Sequence, residues 1–124
     1  MRCTMSRRSL VLLLLDMMDC IDKLAIVTAG LNYEEFCADV KAFYAAMSLV
    51  AILGEAANQV TKAEATLPNT IPWQTIRGIR NRVVHQYFDI DSQILWLIVS
   101  VEIPSLKAPL QELLNIYNAQ GGNS

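Results

Sequence analysis

Apolar residues recur at alternating steps of four and three near the start of the chain. Leu10, Leu14, Met17, Ile21 and Leu24 share one face of a helix predicted over residues 6–28. Asp16, Asp19, Asp22 and Lys23 project to the opposite side. Leu12 and Leu15 project there too, where a single copy leaves them wet. Either they are ordinary exposed leucines or a second copy covers them. Gly30 closes this helix as a C-cap would. Asn32 then stands as an N-cap, with Glu35 placed to complete a capping box and Leu31 placed to staple onto Phe36. A short helix follows, then a long one over residues 39–62. Lys41, Ser48, Glu55 and Lys62 recur every seven positions along it, a narrow polar stripe on an apolar cylinder. Such a helix belongs in the middle of a bundle.

Leu67-Pro68-Asn69-Thr70 is a break. Pro72 can open the next helix, since its missing N–H costs nothing in a first turn. That fourth helix carries Trp73, Ile76, Ile79 and Val83 inward and is expected to end near Tyr87. Asp89 or Asp91 caps the helix after it, over residues 92–101. A last helix follows Pro104 and stops before Gly121-Gly122, with Pro109 kinking it or delaying its start. The tail from about residue 119 is expected to be flexible. No strand pattern, repeat or linker appears. The fold expected is all-α: one domain over residues 1–124, an antiparallel helical bundle that pairs as a homodimer.

Composition sharpens the dimer expectation. Apolar residues make up 53% of the 124, and the mean hydropathy is +0.31. Either one helix is buried all round, or an oligomer hides part of the surface. Ten basic residues against twelve acidic give a net charge of −2, so any nucleic-acid binding must come from a local patch. Cys3, Cys20 and Cys37 are odd in number and far apart, which argues against a disulfide framework and for a reducing, cytoplasmic setting. His85 is the one histidine, so no metal-ligand cluster is visible and no cofactor is implied. Arg2, Arg7 and Arg8 before the leucines of residues 10–15 resemble the start of a signal peptide. The run stops at Asp16, however, and residues 10–28 are read as a helix of the mature protein. The apolar stretch 42–54 falls short of the roughly 18 residues a bilayer span needs, and no membrane is expected.

Candidate chemistry gathers in one place. Arg77, Arg80 and Arg82 come with no acid until Asp89, the one local basic patch. Alone, it reads as a solvated face near a helix C-terminus, where the dipole favours cations. His85 adds a titratable group. Asn81 lies one turn before it on the same predicted face, placed to orient the imidazole. Gly78 lies a further turn back, where a bare backbone lets a phosphate approach. Arg80 and His85 are five residues apart, so a straight helix would point them about 140° from each other. By spacing alone, a structural histidine is the stronger reading.

The segment IPWQTIRGIRNRVVHQYFDID resembles the signature of HepT proteins, a branch of the HEPN superfamily. The pattern is an arginine, four residues, a histidine, one residue and a tyrosine, met by Arg80, His85 and Tyr87. The resemblance extends to Gly54-Glu55-Ala56, to Ile71-Pro72-Trp73, and to the region of Trp96 and Ile103-Pro104-Ser105-Leu106. Two departures stand outside the motif: Lys41-Ala42 where Arg-Thr is expected, and Pro109 in a helix usually free of proline.

The resemblance implies a metal-independent endoribonuclease toxin of a two-gene toxin–antitoxin module. Its substrate is RNA, with tRNA and mRNA both open. Arg80 and His85 would be catalytic, Asn81 and Gly78 supporting, and Arg77 and Arg82 phosphate-binding. The implied partner is MntA, a minimal nucleotidyltransferase that attaches AMP to Tyr87 as antitoxin. Metal-free cleavage uses the 2′-OH as nucleophile, and needs a base, an acid and a cation. Imidazole suits both proton roles, with an unperturbed pKa of about 6.5. One chain offers one histidine, so a two-fold dimer, or a dimer of dimers, would set His85 and its mate across one cleft. Two other readings stand beside this one: a non-catalytic helical partner that docks a nucleotidyltransferase, and a purely structural dimeric bundle.

Overall fold

A computed structural model of the chain describes residues 6–85 and 89–121. Helix α1 (Arg7–Thr28) begins where the Ser6 hydroxyl accepts from the Ser9 N–H. Its predicted inner stripe is buried from Leu10 to Leu24, whereas Leu12 and Leu15 are 54% and 45% exposed. Helix α2 (Tyr33–Ala38) carries the full capping box: Asn32 Oδ1 accepts from the Glu35 N–H at 2.8 Å and Glu35 Oε1 from the Asn32 N–H at 3.0 Å. Asp39 ends α2 and caps α3 (Val40–Ala63) through the Ala42 N–H.

Three long-range contacts set the directions of the long helices. Arg7, at the start of α1, meets Glu64 just past the end of α3 at 3.2 Å, so α1 and α3 run antiparallel. The same guanidinium lies 4.2 Å over the ring of Tyr117, near the end of the last helix. Lys107, at the start of that helix, reaches Asp22 near the end of α1 at 2.7 Å, so this pair is antiparallel as well. Phe36, Val50, Leu53, Ile76, Leu95 and Leu110 join α1 in a single core.

Helix α3 departs from the expectation of one narrow polar stripe on an apolar cylinder in the middle of the bundle. Its outward stripe is wider than four polar residues, because Tyr44 and Ile52 lie on it 60% and 52% exposed. Within one chain α1, α4 and α5 are its main neighbours, and they leave that side open. Helix α3, and the near-continuous helix over 92–120, are also long and apolar enough by composition to cross a bilayer, unlike the shorter run 42–54 considered above. Both place a buried stripe in the common core.

The predicted fourth helix is two. Helix α4 (Trp73–Arg77) and helix α5 (Ile79–Val83) are separated at Gly78. Trp73, Ile76, Ile79 and Val83 still face inward, all buried. The helix does not reach Tyr87: Val84 turns extended and pairs antiparallel with Ile90. The Asp91 N–H donates to the Val83 carbonyl, and the His85 N–H to the Asp89 carbonyl at 3.0 Å. Of the two cap candidates, Asp91 opens α6 (Ser92–Leu97), accepting from the Ile94 N–H at 3.0 Å.

Beyond α6 the helix widens into a π turn over Ile98–Glu102, then a 3-10 turn over Pro104–Leu106, before α7 (Lys107–Gly121). Pro104 has no N–H and its ring crowds the carbonyl four residues back. The Ile103 N–H bonds instead to Ile98 at 2.8 Å, five residues back. Pro109 sits in the first turn of α7, where the missing donor costs little. Residues 119–121 are helical rather than a loose tail. The rest of the expected tail lies outside the described residues.

Candidate functional site

Gly54 places the site. A Cβ there would stand 3.2 Å from the Ile76 carbonyl oxygen and 3.7 Å from that of Arg77, so α3 lies against the last backbone carbonyls of α4. That contact sets Glu55 and Asn58 beside the α4–α5 break. A cleft of about 380 Å³ opens there, walled by Glu55, Asn58, Gln74, Arg77, Arg80 and Asn81. Arg77 Nε donates to Asn58 Oδ1 at 3.2 Å. Among the described residues, no acid lies within ion-pair distance of Arg77 or Arg80.

Two of the expected placements change here. Arg82 does not line this cleft. Its guanidinium forks onto Glu102, Nη1 to Oε1 at 2.8 Å and Nη2 to Oε2 at 3.1 Å. The pair holds the Glu102 carboxyl below its ordinary value and raises the guanidinium. Arg82 thus clamps α5 to the π turn, with these donors occupied rather than offered to a phosphate. Gly78 lines the cleft, where a Cβ would make only ordinary contacts within the chain, 3.5 Å from the Gln74 carbonyl oxygen. It marks the helix break. Asn81 does not orient His85, because the helix ends at Val83 and the shared face ends with it.

His85 is held by another residue. Its Nε2 lies 3.5 Å from Asp91 Oδ2, with half of the imidazole exposed. The Ile94 N–H, and after it the imidazole, keep the Asp91 carboxyl below its ordinary value. One aspartate therefore both caps α6 and backs the histidine. His85 is not among the residues lining the Arg77–Arg80 cleft of its own chain. The carboxylate of Asp91, the fork to Glu102 and the cleft residues Glu55, Asn58 and Gln74 were not singled out as site residues from sequence. For Asp91 a signal existed, since a cap six residues after the histidine returns the chain beside it. Tyr87 lies outside the described residues.

Among the described residues the arrangement offers two guanidiniums without an ion-paired acid, and separately an exposed imidazole backed by a carboxylate. Such an imidazole can take and return a proton, and the guanidiniums can neutralise developing negative charge. No three His, Cys, Asp or Glu side chains gather as a metal set among the described residues.

A family model described as ribonuclease HepT-like matches residues 17–113, which include the cleft, His85 and Asp91. The chain is 31% identical over 98 residues to the "Probable ribonuclease HepT" of Thermococcus cleftensis, covering 79% of this chain and 89% of that protein. It is 27% identical over 120 residues to the "Putative RNase MJ1216" of Methanocaldococcus jannaschii, covering 97% and 99%. It is 31% identical over 108 residues to the "Putative RNase MJ1380" of the same organism, covering 86% and 98%. No solved structure matches it. With a helical bundle of this design and a family match over most of its length, the chain belongs to the ribonuclease HepT-like family of the HEPN superfamily.

Proposed function

We propose that this protein is a metal-independent endoribonuclease toxin of the cytoplasm, active as a homodimer and silenced by a nucleotidyltransferase partner that attaches AMP to Tyr87. The observation that carries this reading is the His85–Asp91 pair, held outside the Arg80 cleft in a chain of a ribonuclease family. A histidine outside its own chain's cleft would act in one formed between two copies. The exposed Leu12, Leu15, Tyr44 and Ile52 supply apolar surface for the second copy.

In the dimer, one imidazole removes the proton from the 2′-OH. The O2′–P bond forms and the P–O5′ bond breaks, leaving a 2′,3′-cyclic phosphate. The second imidazole protonates the departing 5′ oxygen. Arg80, from either chain, meets the charge of the phosphorane. AMP on Tyr87, two residues after His85, would set a phosphate near these cations and bulk at the mouth of the site.

Incubation with a minimal nucleotidyltransferase of the MntA type and ATP, followed by intact-mass spectrometry, tests the regulatory part. The expected result is added AMP on the wild-type chain and none on Tyr87→Phe. An unchanged wild-type mass, or AMP on the Phe variant, removes Tyr87 as the acceptor.

A further inference from the structure

The cleft beside Gly54 is lined by more than cations. Glu55 lines it from α3, and among the described residues it has no ion-pair partner; Gln59 Nε2, from outside the cleft, donates to its Oε1 at 3.5 Å. Arg77 and Arg80 share the cleft, and among the described residues neither lies within ion-pair distance of an acid. Asn58, Gln74 and Asn81 add amides that can donate and accept. A site for phosphate alone would not carry a carboxylate, which repels it. The mixed set suits a group with separate donor and acceptor edges, attached to a phosphate. A nucleotide has that chemistry.

The carboxylate narrows the choice of base. An ionised Glu only accepts, and its two oxygens are spaced for two parallel N–H donors. Guanine alone among the four RNA bases presents two adjacent donors on one edge, N1–H and N2–H. Adenine and cytosine set one donor beside an acceptor there, and uracil sets one donor between two acceptors. Guanine's other edge, O6 and N7, is the commonest bidentate partner of arginine.

We propose that this cleft is a guanine-selecting subsite for single-stranded RNA, with Glu55 as its specificity-determining residue. The guanine N1–H and N2–H donate to the Glu55 carboxylate, Arg77 faces O6 and N7, and Arg80 holds the adjoining phosphate. The edge that Glu55 reads is the Watson–Crick edge, so the nucleotide must be unpaired, in a loop or an end. This rests on the ribonuclease reading for its biological sense, but binding tests it without cleavage.

The experiment is titration of the full-length protein with GMP, AMP, CMP and UMP by calorimetry, for wild type and Glu55→Gln. Glu55 is exposed and Gln has the same shape, so the variant keeps the fold, which circular dichroism checks. Wild type is expected to bind GMP about tenfold or more tighter than AMP, the discrimination of one good bidentate pair. Glu55→Gln is expected to abolish that preference while AMP binding changes less than about twofold. Equal binding of all four nucleotides by wild type, or a guanine preference that survives in Glu55→Gln, overturns the proposal. Cleavage of a single-stranded oligoribonucleotide separates this from the ribonuclease reading. Cutting with no base preference removes the guanine subsite and leaves the ribonuclease. Guanine-selective binding without cutting does the reverse.

Discussion

Helices α1 and α3 run 22 and 24 residues without interruption, and each opens at a side-chain cap, Ser6 or Asp39. Between α3 and α6 the chain makes two helices of five residues, neither opened by a side-chain cap bond. The long pair holds itself by local signals and a continuous buried stripe. The short pair is propped from outside: Asn58 on Arg77, Glu102 on Arg82, Ile90 on Val84. The cations and the histidine of the motif all lie in the propped region. Breaking the helix costs local regularity but aims Arg77 and Arg80 into one cleft and lets His85 leave the helix axis. The contrast teaches that here the starts of the scaffold helices are set by near neighbours in sequence, and the site by distant ones.

The largest effect should come from the scaffold side. Leu53 is fully buried on α3, so Leu53→Ala should cost about 2–5 kcal/mol in denaturant unfolding. A loss under about 1 kcal/mol would mean that α3 is not the spine described. Gly54→Ala probes the seam between the two regions. The added methyl meets the Ile76 backbone carbonyl, and α4 must shift; about 1–3 kcal/mol of stability should go, with nucleotide binding in the cleft weakened as well. Unaltered binding would show that the close approach does not shape the cleft.

Asp91→Asn separates cap from catalytic support. Asparagine caps helices as well as aspartate does, so stability should hold within a few tenths of a kcal/mol. RNA cleavage should nonetheless fall about tenfold, the worth of one partly exposed charge contact to His85. Loss of stability with unchanged cleavage would assign Asp91 to the helix alone.

Glu102→Gln should show the smallest change, under about 1 kcal/mol, because both partners of the Arg82 fork are about one-third exposed. Its pH dependence has a definite sign. The Glu102 carboxyl is depressed in the folded state, so the stabilisation is present above the ordinary Glu value of about 4.3 and is lost as pH falls through the lower folded value. Wild type and variant should differ in urea unfolding near neutral pH and converge in acid.

This division also governs what the sequence disclosed. The cap at Asn32, the start at Ser6, the inner stripe of α1 and the cap at Asp91 are local signals, and each is found in place. The break at Gly78 was hidden because Trp73, Ile76, Ile79 and Val83 keep helical spacing across it and all remain buried. The glycine itself was the only mark. Arg82 looked like a free cation because its acid stands twenty residues away on the π turn. Glu55 looked like one member of a solvated stripe, since nothing near it in sequence announces Arg77 and Arg80. The Arg80–His85 motif was legible through its family pattern, whereas the partner that backs His85 required the fold.

The central claim is that His85 carries proton transfer in RNA cleavage without a metal. Its most direct measurement is cleavage of single-stranded RNA by purified wild type and His85→Ala, each with and without EDTA, with product ends identified by mass. The account predicts cyclic-phosphate ends and rates unchanged by EDTA for wild type, and a loss of about 10²-fold or more for a folded His85→Ala. Cleavage that stops with EDTA, or that survives in His85→Ala, would contradict it.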